Sequence, residues 1–171
     1  FDHPQPGRKG VTLGIGDDGA VLAHTPGTES VVVTDTLVCD THFHKEHSAA
    51  SIGHRALAVN LSDIAAMGAS AEWATLNLTL PSLDESWIEQ FAVSLLALAH
   101  RYDVALVGGD TTRGPLSITM TVGGRVKTGA ALCRNGAQPG DSIYVSGRLG
   151  GAAAALERDD VRSEDALRDA L

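Results

Sequence analysis

Residues 71–80, AEWATLNLTL, place Ala74, Leu76, Leu78 and Leu80 at one parity and Trp73, Thr75, Asn77 and Thr79 at the other. Successive side chains of a strand point to opposite faces. This stretch therefore predicts a half-buried strand, apolar on one side and polar on the other. A sheet built on it must be covered on the apolar side. The following segment supplies a cover. Trp87, Phe91, Leu95, Leu98 and Tyr102 recur at i, i+4, i+8, i+11 and i+15, the spacing of one buried helix face. Ser82 with Glu85 forms a candidate capping box at its start.

The rest of the chain supplies partners for that strand. Residues 30–36 (SVVVTDT) carry a β-branched run suited to a buried strand. From Ser51 to Met67 the pattern is helical, with Leu57, Leu61 and Ile64 on one face and Gly68 as a stop. Ala105–Val107 predicts a short strand running into Gly108-Gly109-Asp110, and Leu116–Val122 alternates again. Ile143–Val145 predicts a further strand, and Gly147–Gly151 leads into a short Ala-rich helix. Helices and strands intermix without strict βαβ alternation. The expected fold class is an α/β (α+β) sandwich, a mixed and mainly antiparallel sheet covered by helices.

Residues 1–10, with two prolines and two glycines, read as a loose lead-in, and the charged tail from Glu157 to Leu171 reads as a cut end or the opening of another domain. With 171 residues, 43% of them hydrophobic, the chain is expected to be globular. No apolar run approaches the roughly 18 residues that span a bilayer, and the N-terminus shows no signal-peptide pattern. Cys39 and Cys133 are too few for a disulfide framework and read as reduced thiols of a cytosolic protein. A net charge of −8 disfavours a nucleic-acid partner. It does not disfavour a phosphorylated small molecule, because bound cations reverse the local sign.

Four motifs end a hydrophobic element or a glycine-rich turn with aspartate. They are Gly14-Ile15-Gly16-Asp17-Asp18, Thr34-Asp35-Thr36, Asn60-Leu61-Ser62-Asp63 and Gly108-Gly109-Asp110-Thr111-Thr112-Arg113-Gly114. Hard divalent cations take oxygen ligands, which Asp supplies on a short stem. Two carboxylates 4 Å apart repel by about 4 kcal/mol at an effective dielectric of about 20, so several converging acids call for a metal. Each motif also has a plainer reading. Asp17 and Asp18 suit a turn, and Asp63 suits a solvated helix position. Its neighbours Ala58, Val59, Leu61, Ile64, Ala65, Ala66 and Met67 make that helix apolar on most sides, however, where an unpaired acid is costly.

Arg113 can clamp a phosphate or neutralise Asp110, and Arg134 can reach a phosphate or stand on the surface. His42, His44 and His47 beside Asp40 have a spacing that can hold zinc, or they form a polar loop with one histidine at a substrate. The chain has no Walker-type phosphate loop, no protein-kinase signature and no nucleophile elbow.

The stretches GIGDDGAVL (14–22), VTDTLVCDTHF (33–43), RALAVNLSDIAAMGA (55–69), LTLPSLDESW (78–87), LVGGDTTRGPLSIT (106–119) and NGAQPGDSIYVSGRLGGAAA (135–154) resemble the thiamine-monophosphate kinases of the aminoimidazole ribonucleotide synthetase-like superfamily. The resemblance implies transfer of the γ-phosphoryl of ATP to thiamine monophosphate. It implies Mg2+ ions held by Asp18, Thr34, Asp35, Asp63 and Asp110, with Asp35, Asp63 and Asp110 as the catalytic set. It maps nucleotide contacts onto Gly109, Asp110 and Arg134 and a substrate contact onto His42.

The resemblance further implies a cytosolic homodimer with the sheets of two such domains packed together. It divides the chain into the lead-in (1–10), an N-terminal ATP- and Mg-binding domain (11–136) and the start of a truncated C-terminal domain (137–171). A chain without that second domain is expected to show little or no kinase activity. Three places depart from the family pattern: Gly19 stands for a cysteine, Val33 for a serine, and Cys39-Asp40-Thr41 for the middle of the substrate loop. The competing readings are another ATP-dependent enzyme of the superfamily and a non-catalytic metal- or nucleotide-binding module.

Overall fold

The computed structural model describes residues 10–15, 18–145 and 149–150. Strands β1 (Val11–Leu13) and β2 (Val21–Leu22) form a small hairpin. The main sheet comprises β3 (Thr28–Val38), β4 (Ser70–Leu80), β5 (Ala105–Arg113) and β6 (Ser117–Lys127), in the order β3-β6-β4-β5. β6 runs antiparallel to both β3 and β4, and β5 runs parallel to β4. Helices α1 (Ala49–Ala66) and α2 (Glu85–Arg101) connect β3 to β4 and β4 to β5, as parallel strands require. The mixed, helix-covered sheet is the expected fold class.

The alternation in β4 decides which face is covered. Ala74, Leu76, Leu78 and Leu80 are all buried, in one core with Ile118, Met120 and Val122 of β6 and Leu57, Ile64, Phe91 and Leu95 of the helices. The opposite face is a threonine lattice. Thr34 Oγ1 lies 3.1 Å from Thr121 Oγ1, and Thr36 Oγ1 lies 2.8 Å from Thr119 Oγ1. Thr75, Asn77 and Thr79 continue these rows across β4.

α1 starts and stops where its ends are satisfied. The Ser48 side chain accepts from Ser51 N, and Gly68, at φ +68°, donates its N–H to Ala65 O. The two helices cross at Gly53, where a Cβ would lie 2.4 Å from Phe91 O. Only glycine lets the backbones approach so closely.

Several expectations need correction. α2 is capped by Asp84, whose side chain accepts from Trp87 N, so Ser82 and Glu85 form no capping box. The N-cap lies two residues beyond Ser82, and the first turn begins at Glu85. Tyr102 is the C-cap and 49% exposed, so the buried stripe ends at Leu98 and Ala99. β5 continues to Arg113. After a bulge at Ala74/Thr75, Gly108–Arg113 pair with Thr75–Leu80, and the Gly-Gly-Asp segment lies within a strand rather than a turn. Ile143–Val145 forms no strand. Ile143 and Tyr144 are 94% and 90% exposed, and no strand among the described residues pairs with them. Residues 1–9, Asp17, the helix expected after Gly147 and the charged tail lie outside the described residues.

Candidate functional site

The site is organised by β5. In parallel pairing with β4, the chain reaches Gly109 at φ +148°, where a Cβ would stand 1.8 Å from Leu76 O. The missing side chain lets β5 lie against β4 and carry Asp110 forward. A cavity of about 450 Å³ runs along this stretch. Its walls are the consecutive β5 residues 106–111, Thr75 and Leu76 of β4, and Ile15, Asp18, Gly19 and Ala20 from between β1 and β2. Asp18 and Asp110 therefore face one space although 92 positions separate them in sequence. One Asp110 carboxylate oxygen accepts from Thr111 N at 2.9 Å, which fixes the side chain locally. The cavity also presents backbone: at Gly108 and Gly109 no side chain stands between main chain and a ligand.

The remaining expected residues lie elsewhere. Asp35 is half-buried at mid-length of the outer strand β3, opposite Met120. Thr34, its neighbour, points to the threonine face and donates to Met120 O at 3.0 Å. Asp63 is exposed near the end of α1, so the apolar neighbours that argued against a solvated position do not enclose it. Arg113 and Arg134 are exposed and do not line the cavity. Among the described residues, no three His, Cys, Asp or Glu side chains stand close enough to hold a metal ion together. The acids expected to converge thus divide into Asp18 with Asp110, Asp35 on the far strand, and Asp63 on the helix.

The histidine segment is ordered by hydrogen bonds. Asp40, at φ 61°, donates its N–H to Phe43 O at 2.8 Å, and Phe43 is buried. His42 Nδ1 accepts from Val38 N at 3.1 Å, which leaves Nε2 as the ring atom that carries the proton in the neutral form. Arg55 donates to His42 O at 2.6 Å. His44 and His47 meet edge to face, with ring centroids 5.6 Å apart. The half-buried Cys39 thiol is pushed above its ordinary pKa, first by desolvation and then by the negative charge of Asp40.

By donor type, Asp18 and Asp110 fit a hard divalent cation. Mg2+ is commonly held by one or two carboxylates, with substrate phosphates and water completing its shell. Asp18 and Asp110, which both line the glycine-walled cavity, are donors of that type.

Residues 16–126 match the AIR synthase related protein family, N-terminal domain. The chain belongs to this family. It is 52% identical over 156 residues to thiamine-monophosphate kinase of Escherichia coli K12, covering 91% of this chain and 48% of the relative. It also superposes on the crystal structure of thiamine-monophosphate kinase from Stenotrophomonas maltophilia K279a, with a TM-score of 0.83, 53% identity and coverage of 88% of this chain and 48% of that one. A third similarity is to the structure described as AaThiL complexed with AMPPCP and TMP, with a TM-score of 0.74, 30% identity and coverage of 80% and 44%. The chain thus spans about half the length of the relatives it matches. No helix among the described residues is long and apolar enough to cross a membrane.

Proposed function

We propose that this chain is the ATP- and Mg2+-binding part of a thiamine-monophosphate kinase, which transfers the γ-phosphoryl of ATP to thiamine monophosphate and yields thiamine diphosphate and ADP. One observation carries the reading: Asp18 and Asp110 share the cavity along β5, beside the exposed backbone of Gly108 and Gly109. The likeness to a protein complexed with AMPPCP and TMP supports it.

In this reading Gly109 and Asp110 receive the nucleotide's phosphates, with Arg134 contacting the nucleotide and His42 the acceptor. Asp18, Thr34, Asp35, Asp63 and Asp110 hold Mg2+, with Asp35, Asp63 and Asp110 as the catalytic set. Bound there, Mg2+ supplies charge neutralisation for the transferring group. The protein's own work is positioning. Two anions must be held in line, and no general base is needed because the acceptor phosphate oxygen is already anionic near neutral pH. His42, with Nδ1 held by Val38 N, is set to donate from Nε2.

The working enzyme is a cytosolic homodimer, and its exposed threonine face suits packing against another sheet. Residues 11–136 form the nucleotide-binding domain. Residues 137–171 open a second domain, which suits the exposure of Ile143 and Tyr144.

The test is thiamine diphosphate formation by the full-length protein, wild type against Asp63→Asn, Asp110→Asn and His42→Asn. The aspartate variants should lose activity by at least about 100-fold, as expected for lost charge stabilisation, and His42→Asn by less. Turnover near the wild-type rate in both aspartate variants would refute the proposal. Nucleotide binding without phosphoryl transfer would mark a binding module instead.

A further inference from the structure

The connection from β3 to α1, residues 39–48, is ordered by hydrogen bonds rather than by regular structure. His42 is held there on three of its polar atoms. Its N–H donates to Val38 O at 2.9 Å, and its ring Nδ1 accepts from Val38 N at 3.1 Å. Its carbonyl accepts from Arg55 Nη1 at 2.6 Å. Nε2 is the remaining polar atom, and in the neutral ring it carries the proton. The two bonds to Val38 shape the turn, but they do not fix where the turn stands. Buried Phe43 anchors its apolar side, and Cys39 N ties its start to Leu116 O. Arg55 is the tie between the histidine itself and another element.

Arg55 stands on a firmly packed part of α1. Its neighbours Ile52, Ala56 and Leu57 are buried, and at Gly53 the helix backbone lies against that of Phe91. Groups carried on a packed helix position a site better than groups on a loop. The bond to His42 O is short and charge-assisted, the stronger kind. No carboxylate pairs with Arg55 among the described residues, so its guanidinium is committed to a loop carbonyl and not to a surface ion pair. The turn needs such a tie. Asp40 sits at φ 61°, in the left-handed region that residues other than glycine seldom occupy. Backbone of this kind persists only where its surroundings over-determine it, and it collects at ligand-binding sites.

We infer that Arg55 is a positioning residue for the acceptor substrate: through the His42 carbonyl it holds the imidazole so that Nε2–H meets an oxygen of the acceptor's phosphate. This role rests on the phosphoryl-transfer reading above, in which His42 contacts the acceptor, and adds the group that keeps that contact in place. A phosphate oxygen only accepts hydrogen bonds. If the turn shifts and Nδ1 loses Val38 N, either ring nitrogen can carry the proton, and an unprotonated one facing the phosphate repels it.

The test is a double-mutant cycle in the full-length protein, scored by the KM for each substrate. Arg55→Met keeps the apolar stem and removes the donors, and His42→Ala removes the ring. Arg55→Met should raise the KM for thiamine monophosphate about tenfold, the scale of one lost charge-assisted hydrogen bond, and leave the KM for ATP within about twofold of wild type. In the His42→Ala background the same substitution should change the KM for thiamine monophosphate by less than about twofold, because no ring remains to be positioned. Should Arg55→Met fail to melt cooperatively, Arg55→Gln, polar and compatible with the helix, takes its place with the same two expectations. An unchanged KM for thiamine monophosphate in the Arg55 variant, or an equal rise with and without His42, overturns the inference and leaves the phosphoryl-transfer reading standing. A His42→Ala protein with the wild-type KM for thiamine monophosphate would take His42 out of the acceptor site, and the role of Arg55 with it. No thiamine diphosphate formation by the wild-type protein would sink both.

Discussion

Replacing Gly109 by alanine tests the geometry on which the cavity depends. The added Cβ would meet Leu76 O at 1.8 Å, Leu76 C at 2.7 Å and Leu76 N at 2.9 Å, all of them backbone atoms with no rotamer to retreat into. Carbon atoms sit comfortably at about 3.5–4.0 Å, so β5 must move away from β4 by more than a bond length. The backbone at φ +148° is also one that side chains resist, at about 1–3 kcal/mol. Losing one or two ladder hydrogen bonds adds about 1 kcal/mol each. Together these predict destabilisation of about 3–5 kcal/mol.

The sign is diagnostic. Where glycine has no special role, the same substitution stabilises by about 0.4–1 kcal/mol through the unfolded chain. Gly19, in the same cavity wall but with nothing within 4 Å of its would-be Cβ, is the control, and Gly19→Ala should lie within about 0.5 kcal/mol of wild type. Urea unfolding followed by far-ultraviolet circular dichroism measures both. A Gly109→Ala protein within about 1 kcal/mol of wild type would refute the close-approach argument.

Three further outcomes are expected. Asn60 is fully buried and donates Nδ2 to Ala56 O at 3.0 Å, so Asn60→Asp places a carboxylate where only a donor fits. It should cost at least about 2 kcal/mol at neutral pH. Burial raises that new acid's pKa in the folded state, so the lost stability returns on acidification, and thermal melts between pH 7 and pH 4 that show no relative recovery would count against it. Asp84→Ala should lose about 0.5–2 kcal/mol by leaving Trp87 N uncapped, whereas Ser82→Ala should be nearly neutral; equal effects in denaturant titrations would restore the capping box. The Cys39 thiol, raised in pKa by desolvation and by Asp40, should alkylate with iodoacetamide more slowly at pH 8 than the exposed Cys133, as peptide mass spectrometry would show. Its ionisation is suppressed in the fold, so the associated stability is present below the unfolded thiol pKa and fades as pH rises through the folded one.

Periodicity alone revealed most of the architecture. The parity of Ala74, Leu76, Leu78 and Leu80 predicted the covered face of β4, and the spacing of Phe91, Leu95 and Leu98 predicted the helix that helps to cover it. Boundaries failed where local chemistry overrode pattern. Asp84 out-competed Ser82 because the helix starts nearer to it. Tyr102 continued the stripe in sequence but fell on the cap, where its ring reaches solvent. Gly108-Gly109-Asp110 looks like a turn because glycines break strands. Here the two glycines keep β5 in the sheet, since at Gly109 any side chain would strike β4. Ile143–Val145 alternates like a strand, but alternation states only what a partner would cover, and no partner among the described residues does so.

The aspartates show the same limit in stronger form. Sequence names acids at element ends and gives a chemical reason for them to meet, but not which strands become neighbours. The strand order β3-β6-β4-β5 sends the chain's third strand to one edge and its fifth to the other. It thereby parts Asp35 from Asp110, while it leaves Asp18 and Asp110 around one cavity. A motif-level reading treats all these acids as one cluster because nothing in a linear string fixes which strands stand side by side. Topology fixes it: with β6 and β4 between β3 and β5, Asp35 and Asp110 stand on opposite edges of one sheet, and only the acid carried between β1 and β2 comes to the β5 cavity.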